Sequence, residues 1–248
     1  MRLLRPLLIA AVLLAIWQTV VWVTAVPPFI LPGPAAVAST LVTRADVLAG
    51  HAWVTGAEVL MGLGLGTALG MASALLMAAI PGMTRWMMPV LVASQAIPVF
   101  AIAPLLVLWL DYGMASKVAM ACLIIYFPVT AAFFDGLRRT EPDWLVLAQT
   151  MGAGRLATLR HLRVPAALPS LASGLRVATA IAPIGAVVGE WVGSEAGLGY
   201  LMLHANARMQ TDLMFAALFV LTVGALALYF SLNAVLKRLI PWQPETLQ

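Results

Sequence analysis

Residues 145–169 read "LVLAQTMGAGRLATLRHLRVPAALP". Arg155, Arg160, His161 and Arg163 fall within nine residues of one another there, after Gly152 and ahead of Pro165 and Pro169. Nearly everything on either side is apolar. A short cationic segment between long apolar runs is what a bundle of membrane-spanning helices produces when it sends one connection out into water. The reading of this stretch therefore depends on how the runs around it are divided.

Of 248 residues, 62% are hydrophobic and 10% charged, with a mean hydropathy of +0.98. A water-soluble domain carries about 25% charged residues, so the chain is a polytopic membrane protein. Crossing a hydrocarbon layer of ~30 Å takes about 20 helical residues. Six runs meet that length, near Leu7–Val26, Ala52–Ile80, Trp86–Leu110, Ala115–Phe134, Leu171–Val192 and Leu213–Val235. No strand-like alternation suggests a barrel. The first run follows Arg2 and Arg5 as a signal peptide would, but "PPFILPGP" follows it in place of a small-residue cleavage site. It is expected to stay as the first span, 7–26. Cys122 is the sole cysteine, so no internal disulfide forms.

Prolines interrupt three of the spans: Pro89, Pro98 and Pro104 in the third, Pro128 in the fourth and Pro183 in the fifth. Each frees a backbone carbonyl that must find a partner in protein or in a wet cavity. Any one of them is an ordinary kink. The segment "SQAIPVFAIAPLL" has two, with Ser94 and Gln95 beside them, which makes the third span a candidate for lining a path. In the second span Gly62, Gly66 and Gly70 recur at steps of four, leaving one face bare for another helix.

The positive-inside rule orients the bundle. With the N-terminus cytoplasmic, eleven cations lie inside: Arg2, Arg5, Arg85, Arg138, Arg139, Arg155, Arg160, Arg163, Arg176, Lys237 and Arg238. Three lie outside: Arg44, Lys117 and Arg208. Both termini and the opening segment are then cytoplasmic. Within that segment Thr140 and Asp143 have the spacing of a capping box, with Pro142 in the first turn. Trp144, Leu147, Ala148 and Met151 follow at i, i+3, i+4 and i+7, one apolar face on a short helix. Gly152 is expected to end that helix in a left-handed conformation. A second helix, roughly Arg155 to Leu162, is expected to end at Pro165. Such a unit could lie among lipid headgroups, pack beneath its own bundle, or dock in a groove on a partner.

Spacing across this unit is similar to the cytoplasmic-loop signature of ABC importer permeases: E-A-A, three residues, Gly, nine residues, I-x-L-P. Here Ala148 closes the triplet, Gly152 is the glycine, and Leu162, Val164 and Pro165 take the closing places. Val146 and Leu147 depart from the signature, standing where Glu and Ala are usual. "PLLVLWLDYG", "PAALPSLASGLRVA" and "VVGEWVGSEAGLGYL" resemble the sulfonate, nitrate and taurine branch. "QAIPVFAIAPLLVLW", "DGLRRT" and the run from Ala182 to Leu221 look most like permeases for hydroxymethylpyrimidine-type thiamine precursors.

The resemblance implies an all-α permease domain over 1–248, with six spans and a coupling loop at 135–169 between spans four and five. It implies that Asp143, Trp144, Leu147, Ala148, Met151, Gly152, Arg155 and Pro165 meet a separate ATP-hydrolysing subunit. A pair of those subunits, an extracytoplasmic solute-binding protein and a second permease copy would complete an importer in a bacterial cytoplasmic membrane. The cargo it implies is a thiamine-precursor pyrimidine, with sulfonate, nitrate or taurine as the alternative. The residues themselves agree that the energy comes from elsewhere. Lys117 follows Ser116 and Lys237 follows Leu236, so no G-K-[ST] phosphate loop exists.

Gln95, Pro98, Pro183 and Glu190 are the candidates for a substrate path. Glu58 and Glu190 are acids in or near spans, where charge is costly. Glu190 is expected either to line the path or to hold a structural hydrogen bond, and Glu58 to be structural. No basic residue is expected deep in the spans. "SEAGLGYLMLHANARMQTD" reads as a polar outer loop that closes the path, meets a binding protein, or is a solvated turn. Trp109, Tyr112, Trp191 and Trp242 suit interface anchors. His51, His161 and His204 lack metal-ligand spacing, so neither metal nor cofactor is assigned. No G-x-S-x-G or H-E-x-x-H supports a membrane enzyme. Neither inverted repeats nor midplane charges support an ion-driven transporter.

Overall fold

The computed structural model describes residues 4–242, with side chains from Leu8 onward. Arg2 and the side chain of Arg5, two of the expected inside cations, lie outside the described residues. Eleven α-helices account for most of what is described, and no strand occurs among those residues. They are α1 (Leu4–Thr24), α2 (Pro34–Thr43), α3 (Ala45–Ala79), α4 (Met83–Ala96), α5 (Val99–Leu110) and α6 (Met114–Arg138). After these come α7 (Pro142–Thr150), α8 (Arg155–Thr158), α9 (Val164–Gly193), α10 (Leu198–Ala207) and α11 (Thr211–Leu239).

Four helical segments are long and apolar enough to cross a membrane: α3, α6, the continuous stretch Arg155–Gly193 and α11. The expected third span is different. Trp86–Leu110 is two helices, α4 and α5, bent by 99° at Ile97 and Pro98. At ~1.5 Å per residue their 14 and 12 residues reach roughly 21 and 18 Å, each short of a full crossing. Ile97 takes the extended conformation favoured before proline, and Pro98 opens the next helix. Pro89, Pro104, Pro128, Pro169 and Pro183, by contrast, lie within helices that continue through them. The described part thus holds four spans, or five if the bent pair makes one crossing. Apart from these stands α1, 21 residues long and exposed along most of its length, whose Trp17 stacks on Phe215 of α11 at 5.7 Å.

The core is α3, α6 and α9 packed together. Water does not drive this association in lipid, so close backbone approach must. Gly62, Gly66 and Gly70 of α3 lie on Ala121, Ile125 and Val129 of α6 in turn. On the other side of α6, Gly185 of α9 approaches the Ala121 backbone so closely that a Cβ there would lie 2.6 Å from its Cα. Gly64 faces open space, so the bare face is the Gly62–Gly66–Gly70 face, as the spacing predicts. A second cluster joins α2, α10 and α11 through Val37, Leu201, Met202, Ala205, Ala216 and Ala217.

Candidate functional site

The cationic stretch divides into a short helix, a glycine turn and the root of a long helix. Pro142 sits in the first turn of α7. The expected capping box is absent, because Glu141 occupies the N-cap position and no side chain caps the helix. Thr140 lies one residue too early and donates back to the Leu137 carbonyl of α6 at 3.5 Å. The other end follows expectation. Gly152 has φ +75°, its N–H donates to the Gln149 carbonyl, and Ala153 N–H donates to Ala148, both at 2.9 Å. That pair of bonds is the Schellman arrangement, which satisfies carbonyls a helix end would leave open.

No residue of α7 is buried. Trp144, Leu147 and Met151 are exposed and Ala148 partly so, with Val146 exposed as well. Arg155, Arg160 and His161 are exposed too, whereas Arg163 is half-buried. Pro165 does not end the second helix as expected. Residues Leu159–Arg163 form a π turn, in which Val164 N–H donates to the Leu159 carbonyl five residues back, and α9 continues from it. A proline ring collides with the carbonyl four residues before it, and a widened turn relieves that crowding. The segment is thus joined rigidly to a core helix.

A second constellation lies at the far end of α9. Gly197, with φ +115°, opens α10, and the first N–H groups of a helix have no partner within it. Four consecutive ones find partners on other helices. Gly197 N–H donates to His51 Nδ1 at 3.0 Å and Leu198 N–H to Thr55 Oγ1 at 2.8 Å. Gly199 and Tyr200 N–H both donate to Glu190 Oε2. Thr55 Oγ1 donates to Glu190 Oε1 at 2.6 Å. A carboxylate of α9 therefore caps α10 from a distance, where the helix dipole favours negative charge.

Glu58 and Lys117 complete this group, and with Glu190 all are at most 2% exposed. Glu58 lies against Glu190, and Lys117 stands close enough to influence both. Lys117 is expected among the outside cations, at the start of the fourth span. It is buried in the first turn of α6, donating to the carbonyls of Tyr112 and Gly113. The outer stretch expected as a polar loop contains α10, with Leu198, Gly199, Leu201, Met202 and Ala205 buried. Arg176 likewise sits well within α9, its Nε donating to Asn233 Oδ1 of α11 at 2.9 Å, so the spans do hold a basic residue.

The four path candidates do not converge. Gln95 and Pro98 are exposed at the α4–α5 bend, while Pro183 and Glu190 are buried in the core. Trp109, Tyr112, Trp191 and Trp242 are exposed, as lipid- or interface-facing anchors must be. No group of three metal-ligating side chains occurs among the described residues. Two of the three histidines flank one tyrosine: Tyr200 stacks with His51 at 5.9 Å and lies 4.0 Å from the His204 ring. Nothing in the spacing of residues 51, 55, 190 and 197–200 signals that they meet, since they are far apart along the chain.

The fold is an all-helical bundle with an exposed, partly apolar short helix, and the comparisons give its class. The model of the family "Binding-protein-dependent transport system inner membrane component" matches residues 64–243. A probable ABC transporter permease of Haemophilus influenzae is 58% identical over 96% of this chain and 98% of its own. A formylaminopyrimidine transport permease of Halalkalibacterium halodurans is 36% identical over 98% and 97%. A riboflavin transport permease of Chloroflexus aurantiacus is 36% identical over 93% and 87%. A taurine permease of Escherichia coli is 28% identical over 95% and 88%. The methionine ABC transporter in an inward-facing conformation shares the fold, with TM-score 0.70 at 16% identity over 79% of this chain and 97% of that one. The chain belongs to this family, the permease subunits of binding-protein-dependent ABC importers. Membership implies an ATPase partner and a solute-binding protein.

Proposed function

We propose that this permease admits a pyrimidine-bearing solute, such as a hydroxymethylpyrimidine-type thiamine precursor, and that α7 is the helix through which the ATPase subunit drives it. What supports the cargo is that relatives at 36% identity are named for formylaminopyrimidine and for riboflavin, whose ring system also contains a pyrimidine, whereas the taurine relative is at 28%. The observation that carries the coupling role is α7 itself. A helix with no buried residue and an apolar exposed face, set between the core helix α6 and Gly152, suits a cleft on a partner. Asp143, Trp144, Leu147, Ala148, Met151, Gly152, Arg155 and Pro165 form or brace that contact.

Six crossings, one domain over 1–248 with the loop 135–169, cytoplasmic termini and loop, and a homodimer enclosing the path complete the proposal. Gln95 and Pro98 would line the path from the exposed α4–α5 bend, with Pro183 and Glu190 supporting it from within. The test is uptake by the whole system in proteoliposomes, with label competed by hydroxymethylpyrimidine, riboflavin or taurine. Pyrimidine-bearing solutes are expected to compete, and taurine alone competing would overturn the cargo. In the same preparation Gly152→Asp, forced into a left-handed conformation costing roughly 1–2 kcal/mol, should abolish ATP-driven uptake while the permease stays folded. Undiminished uptake would remove α7 from the drive.

A further inference from the structure

A cavity of about 540 Å³ opens beside the cationic segment, between the α3–α4 turn and the α7–α9 connection. Its polar lining includes Thr84, Gln149, Arg155 and Arg163, its apolar lining Met77 and Leu156, and no acidic side chain among the described residues lines it. Two arginines therefore line a common space whose described lining holds no acid. Arg163 Nε is buried and has no hydrogen-bond partner among the described residues. Buried donors in folded proteins are nearly always paired, so an orphan at a cavity wall points to an acceptor that arrives from outside.

Two further features say where that acceptor comes from. The turn forming one wall leads directly into Arg85 and Trp86, both exposed, Trp86 at 79%. A cation beside an exposed tryptophan, just past the end of the spanning helix α3, suits the membrane–water interface, which would put the mouth of the cavity at headgroup depth. The lining is also of two kinds, with guanidinium and amide groups for an anion and aliphatic side chains for what the anion is attached to.

We infer that this cavity is a binding site for an anionic phospholipid, the phosphate held by Arg163 and Arg155 and the glycerol end lying against Met77 and Leu156. Phosphate oxygens match the planar fork of an arginine, and basic pockets between helices at this depth recognise lipid headgroups. A lipid seated there bridges the end of α3 to the root of α9 without covering the exposed face of α7. The site stands on the cavity and its charges, independently of which solute is carried.

The experiment is native mass spectrometry of the intact permease–ATPase complex, delipidated and then exposed separately to phosphatidylglycerol, phosphatidylcholine or inorganic phosphate. Wild type is expected to retain phosphatidylglycerol and not phosphatidylcholine. Arg163→Gln should retain about tenfold less, and Arg163→Lys an intermediate amount, since charge survives but the fork does not. Should Arg163→Gln fail to fold, Thr84→Val reads the same site from the opposite wall and should weaken retention. Equal retention by wild type and variants overturns the site. Binding of inorganic phosphate with no lipid preference assigns it to a soluble anion instead. Loss of the ATPase subunit from Arg163→Gln with lipid retention unchanged assigns the cations to an acidic group of that subunit.

Discussion

At the scale of single residues, Glu190 shows how a charge becomes acceptable inside an apolar bundle. Its carboxylate accepts two backbone N–H groups and the Thr55 hydroxyl, so it is spent on the start of α10. Glu190→Ala leaves those donors buried without an acceptor, at about 1–3 kcal/mol for each. Its melting temperature in detergent is expected to fall well below that of wild type. Glu190→Gln keeps an acceptor oxygen and should fall less while retaining uptake. A Gln variant with normal melting but no uptake would instead place Glu190 against cargo. The sequence pointed to Glu190 as costly and left open whether it serves the path or a structural bond. Its partners were not legible, because Thr55 lies 135 residues away and nothing local marks the pairing. Gly152 is the opposite case. Its positive φ follows from helix-ending grammar within a few residues, which is why it was readable.

At the scale of elements, the glycine face of α3 sets how near α6 can come. A Cβ on Gly66 would lie 2.8 Å from Ile125 Cγ2 and 3.2 Å from the Cys122 carbonyl. Gly66→Leu is therefore expected to lose folded protein in size-exclusion chromatography of the solubilised membrane, overpacking costing about 1–3 kcal/mol or more. Gly64→Leu, two residues away and facing open space, should behave as wild type. Equal behaviour of the two would mean that the close approach does not hold the bundle. The proline-bearing elements were harder to read. Pro98 breaks its helix by 99° while Pro128 and Pro183 do not. Pro183 is buried and Pro98 exposed, but exposure alone does not decide the outcome, since Pro89 and Pro104 are exposed within helices that continue.

At the scale of the whole molecule, the inequality of cations between the two ends sets the expected orientation. With Cys122 replaced by serine, a cysteine at exposed Arg160 should react with a membrane-impermeant thiol reagent only from the cytoplasmic side. A cysteine at Met209, 67% exposed beyond α10, should react only from the outside. The reverse pattern would invert the bundle and move α7 away from any cytoplasmic ATPase. Both constellations are tied to α9: the cationic segment at its first turn and the α10 cap near its last. One helix thus connects the end that carries the exposed α7 with the fastening of the opposite end.

By itself the sequence determined an all-α membrane protein, its apolar runs, the glycine face of α3 and a short helix with one apolar face ending at Gly152. All of these depend on periodicity, composition or turn chemistry within a few residues. Only the tertiary structure decided that Trp86–Leu110 is bent in two, that Pro165 continues a helix through a π turn, and that the polar outer stretch is a buried helix capped by Glu190. The last of those outcomes depends on what distant helices present at the contact. Local propensity cannot report which backbone N–H will find an acceptor on another helix, and in lipid that acceptor decides whether a polar stretch can be buried.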